Sequence, residues 1–199
     1  VNQRRLLTIA GWMTAGAALA AAAVAGFTAW SVSAVRRPWP PYTFSPFEIG
    51  APGEDVTFSA ADGVRLAGWW FARPESSSVV ICCHGHRGNK ADMLGIGPGL
   101  WRAGHNVLLF DFRGSGDSEG SHLTMALHEQ RDLQAAIDLV QRLRPGARVS
   151  VVGFSMGGGT AQQLAFRHPG VVERLRMISA PFSDTGWHAD VRANFRNTG

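Results

Sequence analysis

Gly153-Phe154-Ser155-Met156-Gly157 sets a serine between two glycines at a spacing suited to nucleophilic catalysis. The apolar run Val149-Ser150-Val151-Val152 precedes it, and the Ala/Leu-bearing segment from Thr160 to Arg167 follows it. Strand, sharp turn and helix in that order is the context in which G-x-S-x-G forms a nucleophile elbow. The glycines have a steric role there, because strand and helix must close around a residue held in strained backbone. Ser155 is then expected to stand clear at the carboxyl end of a sheet, beside a helix N-terminus that stabilises negative charge. A serine hydroxyl is a poor nucleophile until a base takes its proton, and the tetrahedral oxyanion needs donors already aimed at it.

Two upstream loops add to the pattern. Val79-Val80-Ile81-Cys82-Cys83 reads as a short buried strand running into His84-Gly85-His86-Arg87-Gly88-Asn89. Asn106-Val107-Leu108-Leu109-Phe110 reads as a second, ending in Asp111-Phe112-Arg113-Gly114-Ser115-Gly116-Asp117-Ser118-Glu119-Gly120. With these three motifs in this order, the chain resembles the alpha/beta hydrolases over about residues 54 to 180, in particular bacterial serine hydrolases with a membrane anchor. The resemblance implies that the residue after the His-Gly pair and the residue after the nucleophile each give a backbone N–H to the oxyanion hole. Here these are His86 and Met156. It also implies that the loop from Asp111 to Gly120 is structural and shapes the rim of the site.

In this fold the triad runs Ser, then Asp or Glu, then His, with the last two on loops after later strands. Beyond Ser155 one strand is expected, Leu175-Arg176-Met177-Ile178-Ser179, and the remaining candidates for acid and base are Asp184, His188 and Asp190. His188 is the candidate base and Asp184 the candidate acid. The simpler expectation is a C-terminally truncated domain whose last strands are missing and whose His188 is a surface residue. Three readings of function follow. The first is cleavage of an ester, thioester or amide through a Ser155 acyl-enzyme. The second is an inactive membrane-tethered remnant or binding module, and the third is acyl transfer or cofactor-free perhydrolysis on the same fold. No metal or organic cofactor is implied.

The net charge is +4 over 199 residues, and Arg4, Arg5, Arg36 and Arg37 account for all of it. From Pro38 onward basic and acidic residues balance at 15 each, so the high pI belongs to the N-terminus and is no nucleic-acid footprint. Between Arg5 and Arg36 there is no charged residue. A helix from Leu6 to Ser31 would be about 39 Å long, enough to span a bilayer, with Trp12 and Trp30 about 27 Å apart near the two interfaces. Residues 1–35 are therefore expected to form a membrane anchor. The rival is a cleaved signal peptide with Val32-Ser33-Ala34 as its cleavage site, although such apolar cores are usually shorter, about 7 to 15 residues. Pro38, Pro40, Pro41, Pro46 and Pro52 mark residues 36–53 as a stiff extended linker, and residues 54–199 as the hydrolase domain.

The elements that position the motifs alternate between short apolar strands and helices, which predicts a mostly parallel sheet with helices on both faces. Glu54 to Ala60 and Val64 to Ala72 flank a hairpin turn at Ala61-Asp62-Gly63. Ala91 to Arg102 is expected as a helix despite its glycines. Met125 to Leu143 is expected as another, with Leu133, Ala136, Ile137 and Val140 at helical spacing and Pro145-Gly146 as the stop. Cys82 and Cys83 point to opposite faces of a buried strand and read as core residues. His84 and His86 have H-x-H spacing but no third ligand nearby in sequence, so they read as loop residues. The Asp111–Gly120 loop lacks the Lys-Ser/Thr ending of a phosphate-binding loop.

Overall fold

The computed structural model describes residues 2–35 and 44–178. They form two units that meet between Ala34 and Val35.

The first unit is one helix, α1 (Gln3–Ser33), capped by the Asn2 side chain accepting from the Arg4 N–H. Its residues up to Trp30 whose side chains are described are all exposed, among them Leu7, Ile9, Trp12, Leu19, Val24, Phe27 and Trp30. It is the one helix among the described residues long and apolar enough to cross a membrane.

The second unit is built on a six-stranded sheet: β1 (Gly53–Ser59), β2 (Arg65–Phe71), β3 (Ser78–Cys83), β4 (Asn106–Phe110), β5 (Arg148–Phe154) and β6 (Arg174–Ile178). Its spatial order is β1-β2-β4-β3-β5-β6. β3, β4, β5 and β6 run parallel, while β1 and β2 form an antiparallel hairpin whose second strand also pairs antiparallel with β4. The sheet is therefore mixed, and its parallel half carries the motif loops at its carboxyl edge.

Helices cover both faces, as a sheet buried on two sides requires. On one face α3 (Glu129–Leu143) and α4 (Met156–Arg167) place Leu133, Ile137, Val140, Ala161 and Leu164 against Val79, Ile81, Leu108, Phe110, Val149 and Val151. On the other, a 3-10 turn (Lys90–Gly95) and α2 (Gly97–Arg102) pack Met93, Leu94 and Leu100 against Val80, Val107, Leu109 and Trp69. Adjacent Cys83 and Cys82 go one to each face, both fully buried and free. Burial pushes the Cys82 thiol up to about 12 and raises Cys83 as well, so neither is a ready nucleophile.

Three expectations change. The helix expected over 91–102 is split at Ile96, where α2 restarts with Pro98 in its first turn; a Cβ on Gly97 would lie 2.8 Å from Leu109, so the small residue sets how closely α2 approaches β4. The helix expected from Met125 begins only at Glu129, because Met125 and Ala126 have φ of 50° and 76° and cannot continue a right-handed helix. Within the expected linker, residues 46–50 form turns, and Ile49 and buried Ala51 join the cluster around Trp69 and Phe71. Apolar contact, not proline stiffness, decides that stretch. Residues 36–43 lie outside the description.

Candidate active site

Ser155 is the residue between β5 and α4. Its φ of 50° and ψ of −117° lie far from any relaxed L-residue basin. Such backbone persists only where its surroundings over-determine it. Here the Ser155 N–H donates to the Ile178 carbonyl of β6 at 2.9 Å, and the Ser155 carbonyl accepts from Gly159 at 3.1 Å as α4 begins. The flanking glycines are forced by contact. A Cβ on Gly153 would sit 2.5 Å from the Gly158 Cα, and one on Gly157 would sit 2.5 Å from the carbonyl oxygens of both Cys83 and His84. The first turn of α4 is thus pressed against the end of β3.

The loop that leaves β3 runs beside the serine. A Cβ on Gly85 would lie 3.3 Å from the Ser155 Cβ and 3.1 Å from the Phe154 ring. The next residue is His86, and its backbone N–H, like that of Met156, is donated to no acceptor among the described residues. Ser155 itself is half-buried, and no described side chain hydrogen-bonds its hydroxyl. The arrangement is a strained serine, two undonated backbone N–H groups on the residues that follow Gly85 and Ser155, and the N-terminus of a twelve-residue helix. Such a helix end favours negative charge.

The two histidines of the loop do different things. His84 is fully buried, with Nδ1 2.8 Å from the Gly85 carbonyl and Nε2 accepting from the Phe112 N–H at 3.0 Å. Nδ1 therefore carries the proton, and both nitrogens are committed to holding the loop. Burial lowers its pKa, outweighing the opposite pull of Asp111. The His86 ring is half-buried, its Nδ1 has no hydrogen-bond partner among the described residues, and burial, then the Arg87 charge, lowers its pKa too.

The loop after β4 is a scaffold. The buried Asp111 carboxylate accepts from the Lys90 N–H at 2.6 Å, the Lys90 ammonium at 2.7 Å and the Asp117 N–H at 3.0 Å. Gly116, at φ 47°, passes so close that any Cβ would strike that carboxylate. The Ser118 hydroxyl donates to the Asp111 carbonyl and accepts from the Ala67 N–H of β2. Arg113 forks between Asp132 of α3 and Asp62 of the β1–β2 turn. Lys90 and Asp132 escaped notice in the sequence, and Asp62 was read only as a turn residue, since nothing in linear spacing links them to Asp111 or Arg113. Asp184, His188 and Asp190 lie outside the described residues, as does Ser179.

A family model for the alpha/beta hydrolase fold matches residues 78–197. Among curated proteins, an uncharacterised protein of Mycobacterium tuberculosis is 31% identical over 137 residues, 67% of this chain and 48% of that protein. The chain spans about half the length of the curated relatives it matches, or less. Among solved structures, an esterase of Pyrococcus furiosus superposes with a TM-score of 0.61 at 30% identity, covering 70% of this chain and 53% of the esterase. An alpha-beta serine hydrolase homologue from Coxiella burnetii superposes with a TM-score of 0.56 at 25% identity, covering 67% and 65%.

Proposed function

The chain belongs to the alpha/beta hydrolase fold family, and from that premise we propose that it is a serine hydrolase cleaving an ester, thioester or amide through an acyl-enzyme on Ser155. The observation that carries this reading is the Ser155 turn: a strained serine beside the loop that leaves β3, with the N–H groups of His86 and Met156 donated to no acceptor among the described residues. A base takes the Ser155 proton as Oγ attacks the substrate carbonyl carbon. The oxygen that becomes negative is received by the two N–H groups, with the α4 N-terminus behind them. Collapse expels the leaving group with a proton from the protonated base, and water then cleaves the acyl-enzyme. His188 is the proposed base and Asp184 its proposed acid. The two structural neighbours, an esterase and an alpha-beta serine hydrolase homologue, support the reaction class.

The test is covalent labelling with a fluorophosphonate. The wild-type chain is expected to be labelled, Ser155→Ala to lose all labelling and His188→Ala nearly all of it. Equal labelling of wild type and Ser155→Ala would remove Ser155 as nucleophile, and full labelling of His188→Ala would remove His188 as base. α1 is proposed as a membrane anchor that holds this chemistry at a bilayer surface, on the strength of its length and its exposed apolar side chains.

A further inference from the structure

The six residues His84 to Asn89 span the stretch between β3 and the 3-10 turn, and they carry the proposed oxyanion donor, the His86 N–H. Both ends of this stretch are held by two adjacent residues at the end of β4. At the near end, the His84 ring accepts from the Phe112 N–H at 3.0 Å. At the far end, the Lys90 N–H and the Lys90 ammonium both reach the Asp111 carboxylate, at 2.6 and 2.7 Å. The ammonium also meets Asp117 at 2.6 Å and lies 4.8 Å above the Trp69 ring.

We infer that Lys90 is a positioning residue, whose buried ion pair with Asp111 fixes the oxyanion loop at the distance from Ser155 that the reaction needs. The inference rests on the Ser155 reading proposed above. Lys90 has 1% of its side-chain surface exposed and Asp111 has none. Desolvating two charges is costly, and an apolar pair of similar volume often stabilises a core equally well or better. The geometry gives this pair a task that an apolar pair cannot perform. One carboxylate binds the Lys90 main chain and side chain together, so the loop end cannot shift along β4 without breaking both contacts. Between the tethers the chain has little slack: Arg87 is held at φ 59°, a Cβ on Gly88 would strike the Asp92 carboxylate, and Asn89 and Asp92 form a reciprocal cap. A misplacement of about 1 Å in such a site costs on the order of a hundred-fold in rate.

Lys90→Met removes the ammonium and leaves Asp111 buried without it, so the double variant Lys90→Met with Asp111→Asn is measured in parallel as the neutral form that keeps an acceptor for the Lys90 N–H. Two readouts are taken on the full chain well below its unfolding midpoint: amide hydrogen exchange of residues 85–88, and the rate of fluorophosphonate labelling of Ser155. In whichever variant is folded, exchange is expected to quicken in residues 85–88 but not in β3 or β5, and labelling to slow roughly tenfold or more. Asp117→Asn, whose partner keeps Asp111, is expected to change labelling less than about threefold. A folded variant with unchanged loop exchange overturns the tether, and one with quickened exchange but unchanged labelling overturns its role in positioning. If wild-type Ser155 is not labelled at all, the serine-hydrolase reading fails with the positioning role, and loop exchange still decides whether the tether exists.

Discussion

Gly157 and Gly159 stand two residues apart on α4 and respond in opposite ways to one added methyl group. At Gly157 the methyl would lie 2.5 Å from two backbone oxygens that cannot give way, whereas at Gly159 it would meet nothing within 4 Å. Gly157→Ala is expected to cost at least about 2 kcal/mol, because α4 must move off the end of β3. Gly159→Ala is expected to stabilise by about 0.5–1 kcal/mol through reduced backbone entropy in the unfolded chain. Urea denaturation of the two variants checks both signs. His84 gives a pH signature. Its folded pKa lies below the ordinary histidine value of about 6.5, chiefly through burial, with Asp111, the Gly85 carbonyl and Asp92 pulling upward and Lys90 downward. Below about pH 6.5 the unfolded chain therefore binds more protons at this site than the folded one. Its stabilising contribution is complete above that pH and falls as pH drops toward the folded value. Denaturation midpoints at pH 7.5 and 5.5 should differ more in wild type than in His84→Gln, and an equal difference would refute the assignment. At this scale the serine and its glycines were legible because their constraints are local. The Lys90–Asp111 pair was not, because 21 positions separate its members and only the parallel pairing of β3 with β4 brings them together.

Arg113 joins three elements. Its guanidinium meets Asp132 of α3 at 2.7 Å and Asp62 of the β1–β2 turn at 2.8 Å, and Arg131 adds a second contact to Asp62 at 3.0 Å. The hydrogen bond from Arg113 holds Asp62 well below the usual carboxylate range. Asp132 goes the other way: burial pushes it up to about 6, although the Arg113 hydrogen bonds oppose the rise. Arg113→Met is expected to destabilise by about 3 kcal/mol or more at neutral pH, since it strands a buried carboxylate. A proton can replace the lost guanidinium on Asp132. In that variant the folded state then binds more protons than the unfolded one, so the deficit relative to wild type should shrink from pH 8 to pH 6. A deficit independent of pH would show that Asp132 does not titrate there. Asp62→Asn, on a partly exposed residue, is expected to cost only about 1 kcal/mol. The strands themselves were legible from the sequence within a residue or two at each end: β3, β4 and β5 are short, mostly apolar runs, β1 and β2 flank a turn, and β6 alternates arginine with apolar residues. Helix starts were less so. The helix over α3 was expected to start at Met125, but positive φ at Met125 and Ala126 excludes it there, and nothing in the side-chain pattern marks that. The antiparallel pairing of β2 with β4, which makes the sheet mixed, is likewise set by packing between distant segments, with Gly68 letting the Leu109 carbonyl approach.

At the scale of the molecule, two units of different chemistry share one chain, and the division falls between Ala34 and Val35. The second unit buries its apolar residues on both faces of its sheet. The first buries none of the apolar window in α1 that passes for a membrane span. A soluble protein seldom leaves so many large apolar side chains in water, so the physical demand is for an apolar phase around α1. That demand is modest per residue: the helix is rich in alanine, and the proposed anchor would draw its insertion energy from Leu6, Leu7, Ile9, Leu19, Val24 and Phe27, with Trp12 and Trp30 set for the two interfaces. The full chain is therefore expected to sediment with membranes and to resist carbonate extraction, and residues 35–199 alone to leave the membrane fraction. A narrow margin also makes the anchor sensitive to a single charge. Leu19→Arg puts a cation near the middle of the span at a cost of about 2.5–3.5 kcal/mol, which should release a large part of the protein into the carbonate supernatant. Asn2→Arg, at the helix end where a long basic side chain reaches the headgroups, should release none. Equal extraction of the two variants would mean that α1 does not span the bilayer. A membrane-derived protein whose N-terminal residue is Val35 would instead identify residues 1–34 as a cleaved signal.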